Sequence, residues 1–240
     1  MKKERVAIIT VATGNYVQYL WQFWYSVAVN WAEQPAIYCL TDYGGDALVP
    51  PGVMVLRHEH SPWPCPTLMR YHAFVKNRDA MTGHGFYLYN DVDMRYVSPV
   101  DPSVFTGGTL AVRHPGFHAK KRDEYPHEGR KASACYVPPE KRMAYYCGGC
   151  QGGERYMELA VSCAALIDQD LNAGIMPSWH DESAYNKHLS DNPPDVVLGP
   201  GYCYPGNDQD AFSWGLGDVK PVLVAIDKDH ARARGGDALV

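Results

Sequence analysis

Apolar residues in the first quarter of the chain form short continuous runs, with a segment of helical spacing between the first two. The runs are Val6–Val11, Ala36–Thr41 and Val53–Arg57, and they are typical of buried parallel strands. In residues 16–30 the apolar positions recur at helical spacing. This alternation of strand and helix predicts a Rossmann-like α/β half.

The remaining chain continues the α/β pattern with longer irregular stretches. Residues 59–66 are rich in Pro and His and predict a loop that could move over a site. Residues 119–142 are polar and irregular, and residues 145–153 are rich in glycine. The other predicted elements are strands at Phe86–Asn90, 109–113, Val196–Leu198 and 222–226, and helices at 68–80, at 154–171 and after residue 181.

Composition and charge limit the classes of function. The chain has 240 residues, of which 46% are hydrophobic, so it is long enough for one large α/β domain. Its net charge is −5, which argues against general nucleic-acid binding because that function needs a basic face. The 17 Tyr and six Trp residues suit sugar and nucleobase sites, although ordinary cores also use such rings.

Seven cysteines form an odd count without a repeating framework, which favours a reducing compartment over a disulfide-stapled secreted domain. The first apolar run is too short for a signal peptide, and no run reaches the length of a membrane span. We therefore expect a soluble cytoplasmic protein. Its oligomeric state does not follow from the sequence.

Asp91 and Asp93 follow a predicted strand. Side chains two positions apart on an extended chain share a face, so both carboxylates should point into the crevice at the carboxyl end of the sheet. Two such acids repel each other unless a cation lies between them, and Mg²⁺ or Mn²⁺ prefers oxygen ligands. The alternative is that the Asp-x-Asp pattern forms a turn or a helix cap.

Asp181 and Glu182 begin a predicted helix after Trp179 and His180. Neighbouring acids on a helix point in different directions, so one could orient while the other faces a substrate. The alternative is that Asp181 caps the helix and Glu182 only interacts with its dipole, and the residues alone favour this alternative.

The glycine-rich segment implies a close backbone approach or a demanding turn, and the helix after it would offer its N-terminus to an anion. Cys147 and Cys150 also suit a zinc site if Cys203 and a histidine join them, but packing of small thiols is favoured. The basic tail around Lys228 and Arg234 could close over a diphosphate, or remain a solvated terminus.

Taken together, these motifs resemble glycosyltransferase family 6, which includes the histo-blood-group A and B transferases and the α-1,3-galactosyltransferases. The resemblance covers nearly the whole chain, without the membrane anchor of the animal enzymes. The matching segments are Leu40-Thr41-Asp42, Asp91-Val92-Asp93-Met94, His114-Pro115-Gly116-Phe117, Ala134-Cys135-Tyr136-Val137-Pro138, Tyr145 to Gly149 with Gly152-Gly153, Trp179 to Ser183 with Asn186-Lys187, and Lys228-x-His230-x-x-x-Arg234.

The resemblance implies a GT-A fold in one catalytic domain over residues 1–240. A Rossmann-like nucleotide-binding half (about 1–95) would join an acceptor-binding and catalytic half (about 96–226) around one continuous central sheet, followed by a mobile tail (227–240). The implied activity is transfer of GalNAc, or of Gal, from UDP to the 3-hydroxyl of a β-galactoside, with an α-1,3 linkage and retention at the anomeric carbon. An anchor-free member further suggests a bacterial or phage origin.

Position by position, the resemblance implies a metal site, a donor site and an acceptor site. Asp91 and Asp93 would hold Mn²⁺ or Mg²⁺ on the UDP diphosphate. Glu182 would be the catalytic carboxylate, and it would bind the acceptor together with His114 and Trp179. The implied donor contacts are Val11, Thr13 and Tyr16 at the uracil, Val92 at the ribose, Arg70, Cys147, Gly148, Gly149 and Asp181 around the sugar, and Lys228 and Arg234 at the diphosphate.

Two positions in this resemblance bear on the donor and two on the acceptor. Gly149 resembles the small residue that leaves room for an N-acetyl group, whereas Cys147 matches neither blood-group enzyme; the donor preference is UDP-GalNAc, then UDP-Gal. Pro126 and Pro205 stand where the animal enzymes have polar residues, which leaves the natural acceptor open. Many bacterial relatives replace the metal motif with an Asn pair, but this chain keeps both Asp residues.

Three rival functions remain open on the sequence. A non-catalytic carbohydrate-binding protein would not need Asp91, Asp93 and Glu182 together. A metal-dependent phosphohydrolase on a similar sheet would cleave phosphate esters and ignore acceptor sugars. A zinc protein would use Cys147, Cys150 and Cys203.

Overall fold

A mixed seven-stranded sheet forms the centre of the molecule, in the strand order β3-β2-β1-β4-β7-β6-β8. The computed structural model describes residues 6–44, 49–229 and 233. The strands are β1 (Val6–Val11), β2 (Ala36–Thr41), β3 (Val53–Arg57), β4 (Phe86–Asn90), β5 (Met94–Tyr96), β6 (Leu110–Arg113), β7 (Tyr146–Gly153), β8 (Val196–Leu198) and β9 (Leu223–Ala225).

Strands β1 to β4 are mutually parallel and form the predicted Rossmann-like half. Ile8 of β1 lies beside Ile37 of β2 on one side and beside Leu88 of β4 on the other. The carboxyl ends of these strands therefore meet at one edge of the sheet, where ligands bind in open α/β folds. The predicted α/β class and continuous central sheet, consistent with a GT-A-like fold, are confirmed.

Helices cover both faces of the sheet, and the alternation of side chains along each strand feeds two separate cores. On one face, Ile9 packs in a cluster with Tyr71 and Tyr156. On the other face, Ile8 packs in a cluster with Phe23. The α-helices are α1 (Leu20–Asn30), α2 (Cys65–Leu68), α3 (Arg70–Asn77), α4 (Tyr156–Asn172), α5 (Asp181–Asp191) and α6 (Asp208–Ser213).

Several predicted elements differ in extent. The helix expected over 16–30 starts as a 3₁₀ turn at Gly14–Tyr19, and the helix expected over 68–80 divides into α2, α3 and a 3₁₀ turn at Arg78–Met81. The strand expected over 222–226 is β9, which pairs with β5 in a separate two-stranded sheet. This small sheet joins the two halves of the chain.

The glycine-rich segment is strand β7, buried between β4 and β6, and not a turn. A Cβ atom at Gly152 would lie 2.5 Å from the carbonyl oxygen of Tyr87, and one at Gly153 would lie 2.1 Å from that of Gly108. The glycines therefore allow the close backbone approach. Helix α4 begins beside Gly108, at the opposite end of β7 from Gly148, so its N-terminus does not serve the site described below.

All seven cysteines are free thiols. Among the described residues, no three His, Cys, Asp or Glu side chains come together in an arrangement that could hold a metal ion. Across the same residues, every helix is too short or too polar to span a membrane.

Candidate active site

A cavity of about 650 Å³ opens at the carboxyl ends of the parallel strands. Most of the sequence-predicted site residues line it, although they come from distant parts of the chain. Those residues are Val11, Thr13, Tyr16, Arg70, Asp91, Val92, Asp93, His114, Cys147, Gly148, Gly149, Glu182 and Lys228.

The two acids after β4 lie on a tight turn, so the extended geometry expected for Asp91 to Asp93 is wrong. The amide of Met94 donates to the carbonyl of Asp91 at 3.2 Å, which closes the turn. Both acids nevertheless line the cavity. Burial, and then the charge of Asp91, raise the pKa of Asp93, while an ion pair with Lys228 acts in the opposite direction. The two carboxylates thus compete for positive charge in one place.

Arg70 is the cation that connects the acids of this cavity. Its side chain is only 7% exposed; Nη1 donates to Asp91 at 3.2 Å and to the carbonyl of Gly148 at 3.1 Å, and Nε lies 3.1 Å from Asp181. The guanidinium also lies over the ring of Tyr89, 4.7 Å from its centroid. A planar fork can satisfy several partners in this way, which the point charge of a lysine cannot.

Glu182 is fixed by two hydrogen bonds, one to each carboxylate oxygen. The amide of Gly148 donates to Oε1 at 2.6 Å, and the hydroxyl of Tyr145 donates to Oε2 at 3.0 Å. Burial, and then the charge of Asp181, raise the pKa of Glu182 to about 8, although both hydrogen bonds act in the opposite direction. The structure therefore points a half-buried, oriented carboxyl group at the cavity.

Asp181 lies behind the cavity and does not line it. Its side chain is 2% exposed, and burial raises its pKa to about 7 despite the nearby Arg70. Its Oδ2 atom makes the ion pair with Arg70 but lacks hydrogen-bond geometry with any described group. A Cβ atom at Gly148 would lie 3.3 Å from this oxygen, so the missing side chain of Gly148 leaves Asp181 close to the cavity wall.

The start of helix α5 does not follow the simple capping interpretation. Asp181 is its first residue and His180 holds the cap position, with φ at +50° and without a side-chain cap. A positive φ is costly for a residue other than glycine and often marks a functional site. Trp179, the predicted acceptor contact, is 50% exposed and does not line the cavity.

His114 is held as a neutral hydrogen-bond donor. Burial lowers the pKa of its imidazole to about 4. Its Nδ1 atom accepts from the amide of Gly116 at 3.1 Å, so the proton of the neutral ring is on Nε2. The His114 ring also packs near Tyr145, with 5.8 Å between centroids, and Tyr145 in turn holds Glu182.

The cavity also contains residues that the sequence did not single out. His60 and Trp63 come from the predicted loop, in which His60 Nδ1 lies 3.2 Å from the hydroxyl of Thr13. The Trp63 ring packs edge-on against His180 at 5.3 Å. The Pro-rich and His-rich composition of this loop is the sequence feature that could have identified these two residues. Arg234, the last predicted donor contact, lies outside the described residues.

The residues at the Asp turn fit a divalent cation. Asp91 and Asp93 supply carboxylate oxygens, and a nearby positive charge is already required to balance them. In Mg²⁺ sites that bind phosphates, the protein usually supplies one or two carboxylates, and phosphate oxygens and water complete the coordination. Lys228 and Arg70 supply that positive charge in the present structure.

Comparison with known proteins identifies several glycosyltransferases as relatives of this chain. The histo-blood group ABO system transferase 1 of Rattus norvegicus is 33% identical over 62% of this chain and 42% of its own length. The globoside alpha-1,3-N-acetylgalactosaminyltransferase 1 of Homo sapiens is 28% identical over 83% of this chain and 60% of its own. The O-antigen biosynthesis glycosyltransferase WbnI of Escherichia coli is 28% identical over 86% of this chain and 92% of its own.

This chain therefore spans 42% to 60% of the length of the two mammalian relatives and most of the bacterial one. The sequence model of glycosyltransferase family 6 matches residues 65–234, which is more than half of the chain. The matched range includes the Asp turn, the glycine strand β7 and the start of helix α5. The chain belongs to glycosyltransferase family 6.

Proposed function

We propose that this chain is a retaining glycosyltransferase that moves GalNAc from UDP to the 3-hydroxyl of a β-galactoside, forming an α-1,3 linkage. The observation that carries the proposal is that Glu182, held by Gly148 and Tyr145, lines the same cavity as Asp91 and Asp93. Family membership and the activities that the relatives are named for support glycosyl transfer. The alternative within the class is a UDP-Gal-specific α-1,3-galactosyltransferase.

The proposed leaving-group side of the cavity is the Asp turn. A divalent cation bound by Asp91 and Asp93 would neutralise charge that develops on the departing UDP. Lys228 can add to this stabilisation, because its side chain is 9% exposed and already reaches the turn through Asp93. When Asp93 binds a cation, the ammonium of Lys228 becomes available to a phosphate oxygen.

Glu182 is the proposed catalytic carboxylate. An oxocarbenium-like sugar develops positive charge, and a half-buried carboxylate that is already oriented stabilises it without reorganisation. The donors Gly148 and Tyr145 fix both oxygens of Glu182 and favour its ionised form against the burial that raises its pKa to about 8. A covalent link to Glu182 and same-face attack beside it both give retention.

The proposed acceptor side is formed around His114. Its neutral imidazole offers Nε2–H to a sugar hydroxyl, and its pKa of about 4 keeps that donor unchanged near neutral pH. Tyr145 links His114 to Glu182, so the acceptor and the reacting carbon of the donor would meet beside this tyrosine. Trp179, half exposed at the start of α5, would contact the acceptor from outside the cavity.

The donor preference rests on the resemblance at Gly149 and on the name of the globoside relative. The local geometry adds that position 149 tolerates little else, because a Cβ atom there would lie 2.9 Å from Asp91. Gly148 has a milder constraint, since its Cβ would lie 3.3 Å from Asp181, whereas its 3.6 Å distance to Glu182 is an ordinary contact. The two glycines therefore keep the sugar-binding wall of the cavity flat.

The deciding experiment incubates UDP-GalNAc and UDP-Gal separately with lactose and with 2′-fucosyllactose in the presence of Mn²⁺, and measures UDP release and the product linkage. We expect an α-1,3-linked product, with more of it from UDP-GalNAc. Release of UDP at the same rate with and without acceptor would instead support a hydrolase. Binding of glycans without any UDP release would support a carbohydrate-binding protein.

Variants assign the roles within this assay. Glu182→Gln should lower turnover by about 10³-fold or more, because it keeps the shape and removes the charge, while UDP binding stays nearly intact. The exposed Glu158→Gln on α4 is the matched control. Asp91→Asn with Asp93→Asn should abolish stimulation by Mn²⁺. Near-wild-type turnover of Glu182→Gln, or unchanged activity in EDTA, would contradict the respective assignment.

A further inference from the structure

A tryptophan outside the cavity stands next to its acceptor side. The indole of Trp214 lies 6.4 Å, centroid to centroid, from the imidazole of His114, which lines the cavity. The cluster around His114 also includes Phe117 at 4.8 Å and Tyr145 at 5.8 Å. The order of groups from the catalytic carboxyl outward is therefore Glu182, Tyr145, His114 and Trp214.

The chain between the cavity and Trp214 brings this ring to the rim. Cys203 lines the cavity, and Gly206 approaches so closely to Ala225 that a Cβ atom would lie 2.2 Å from that carbonyl oxygen. The short helix α6 follows and ends at Ser213, and Trp214 caps it. The segment from Cys203 to Trp214 therefore begins at the cavity wall and ends beside His114.

Trp214 is held firmly at its backbone. Its amide donates to the carbonyl of Asp210 at 2.9 Å, and its carbonyl lies 3.2 Å from Nε2 of His118. The indole lies against Gly116, where a Cβ atom would be 3.4 Å from the ring. The ring is half-buried, so a large rigid aromatic surface is presented next to the cavity.

We propose that Trp214 stacks against the second sugar of the acceptor, next to the β-galactoside held at His114, and makes the enzyme selective for oligosaccharides. The inference rests on the proposed function of the same cavity. One face of a pyranose consists of C–H groups, which are apolar and slightly positive, and an indole face is apolar and electron-rich. The ring of Trp214 lies next to His114, the proposed hydrogen-bond donor to the acceptor hydroxyl, and is therefore placed to pack against such a face.

The chain offers variants that separate this role from a structural one. Trp214→Leu keeps apolar volume and removes the ring, whereas Trp214→Phe keeps an aromatic face. Phe212→Ala on α6, two residues before Trp214, is the matched control, because Phe212 is 89% exposed. Thermal unfolding of each variant reports whether α6 still packs.

The test compares methyl β-galactoside with lactose as acceptors, at saturating donor and Mn²⁺. Trp214→Leu should raise the KM for lactose about tenfold, the factor that one aromatic contact supplies. It should leave the KM for methyl β-galactoside and the UDP release without acceptor unchanged. Trp214→Phe should restore most of the lactose KM, and Phe212→Ala should behave as wild type.

Direct binding keeps this proposal distinguishable from the proposed function. Lactose binding in the presence of UDP is measured by calorimetry for the wild type and for Trp214→Leu. Weaker lactose binding by the variant supports the stacking role even if no product forms, in which case the transferase assignment fails alone. Equal lactose KM and equal affinity in both proteins would overturn the role of Trp214 and leave the transferase assignment standing.

Discussion

Replacing Glu128 with glutamine tests the structure without reference to any substrate. Glu128 is 1% exposed and accepts five hydrogen bonds. Three come from the amide and guanidinium of Arg130, and two come from the amide and hydroxyl of Ser178. This clamp fixes Ser178, which directly precedes the Trp179 to Glu182 segment. The substituted glutamine would turn an amide donor toward groups that are themselves donors.

The magnitude follows from the pKa of Glu128. Hydrogen bonds from Arg130 lower it from 4.5 to about 2, against the opposing effect of burial. Such a shift corresponds to an upper limit of about 3 kcal/mol of folding free energy at neutral pH. Because Arg130 is 49% exposed, solvent screening reduces the expected loss in Glu128→Gln to about 1–2 kcal/mol.

The sign of the pH dependence is fixed by the lowered pKa. The stabilisation is complete above the unfolded value of 4.5 and disappears as the pH falls toward the folded value of about 2. Urea unfolding of wild type, Glu128→Gln and the exposed control Glu140→Gln should therefore show a deficit for Glu128→Gln at pH 7 that shrinks at pH 3.5. A deficit of equal size at both pH values would refute this reasoning, as would no deficit at pH 7.

Three further changes test the cavity. Arg70→Met should lower the free energy of unfolding in urea by about 3–5 kcal/mol, because it leaves Asp181 buried without its cation. Arg70→Lys should lower it less. An unchanged free energy of unfolding in Arg70→Met would contradict the role of this pair. Gly149→Ala should weaken Mn²⁺ binding with UDP about tenfold in calorimetry by displacing Asp91, unlike Gly199→Ala, which adds its Cβ in open space. The KM for acceptor should show no step near pH 6.5, the ordinary pKa of histidine, because the pKa of His114 lies near 4. A step there that is lost in His114→Gln would disprove this.

Local physics determines the parts of this molecule that its sequence predicts well. The apolar runs at Val6–Val11 and Ala36–Thr41 are buried parallel strands, as their composition indicates. The rule that ligands bind at the carboxyl ends of such strands also brings Val11 and Asp91 to one cavity. The Asp181 and Glu182 pair begins a helix at the expected residue.

The remainder depends on partners that are distant along the chain. Strand β7 has a glycine-rich sequence that disfavours strands, and it forms one because β4 and β6 flank it. The positive φ of His180 depends on its surroundings, as does the burial of Asp181 behind Gly148. The approach of Trp214 to His114 likewise requires the whole path from Cys203 through α6.

Strand β7 also fixes the position of Glu182 relative to the acid turn after β4. The amide of Gly148 donates to Glu182 while its carbonyl accepts from Arg70. The next carbonyl, that of Gly149, accepts from the amide of Asp91 at 3.0 Å. Two successive residues of one buried strand therefore position the carboxyl group on α5 and the acid turn after β4. A side chain at position 149 would collide with Asp91, and one at position 148 would crowd Asp181, so glycine is the residue that lets the strand serve both.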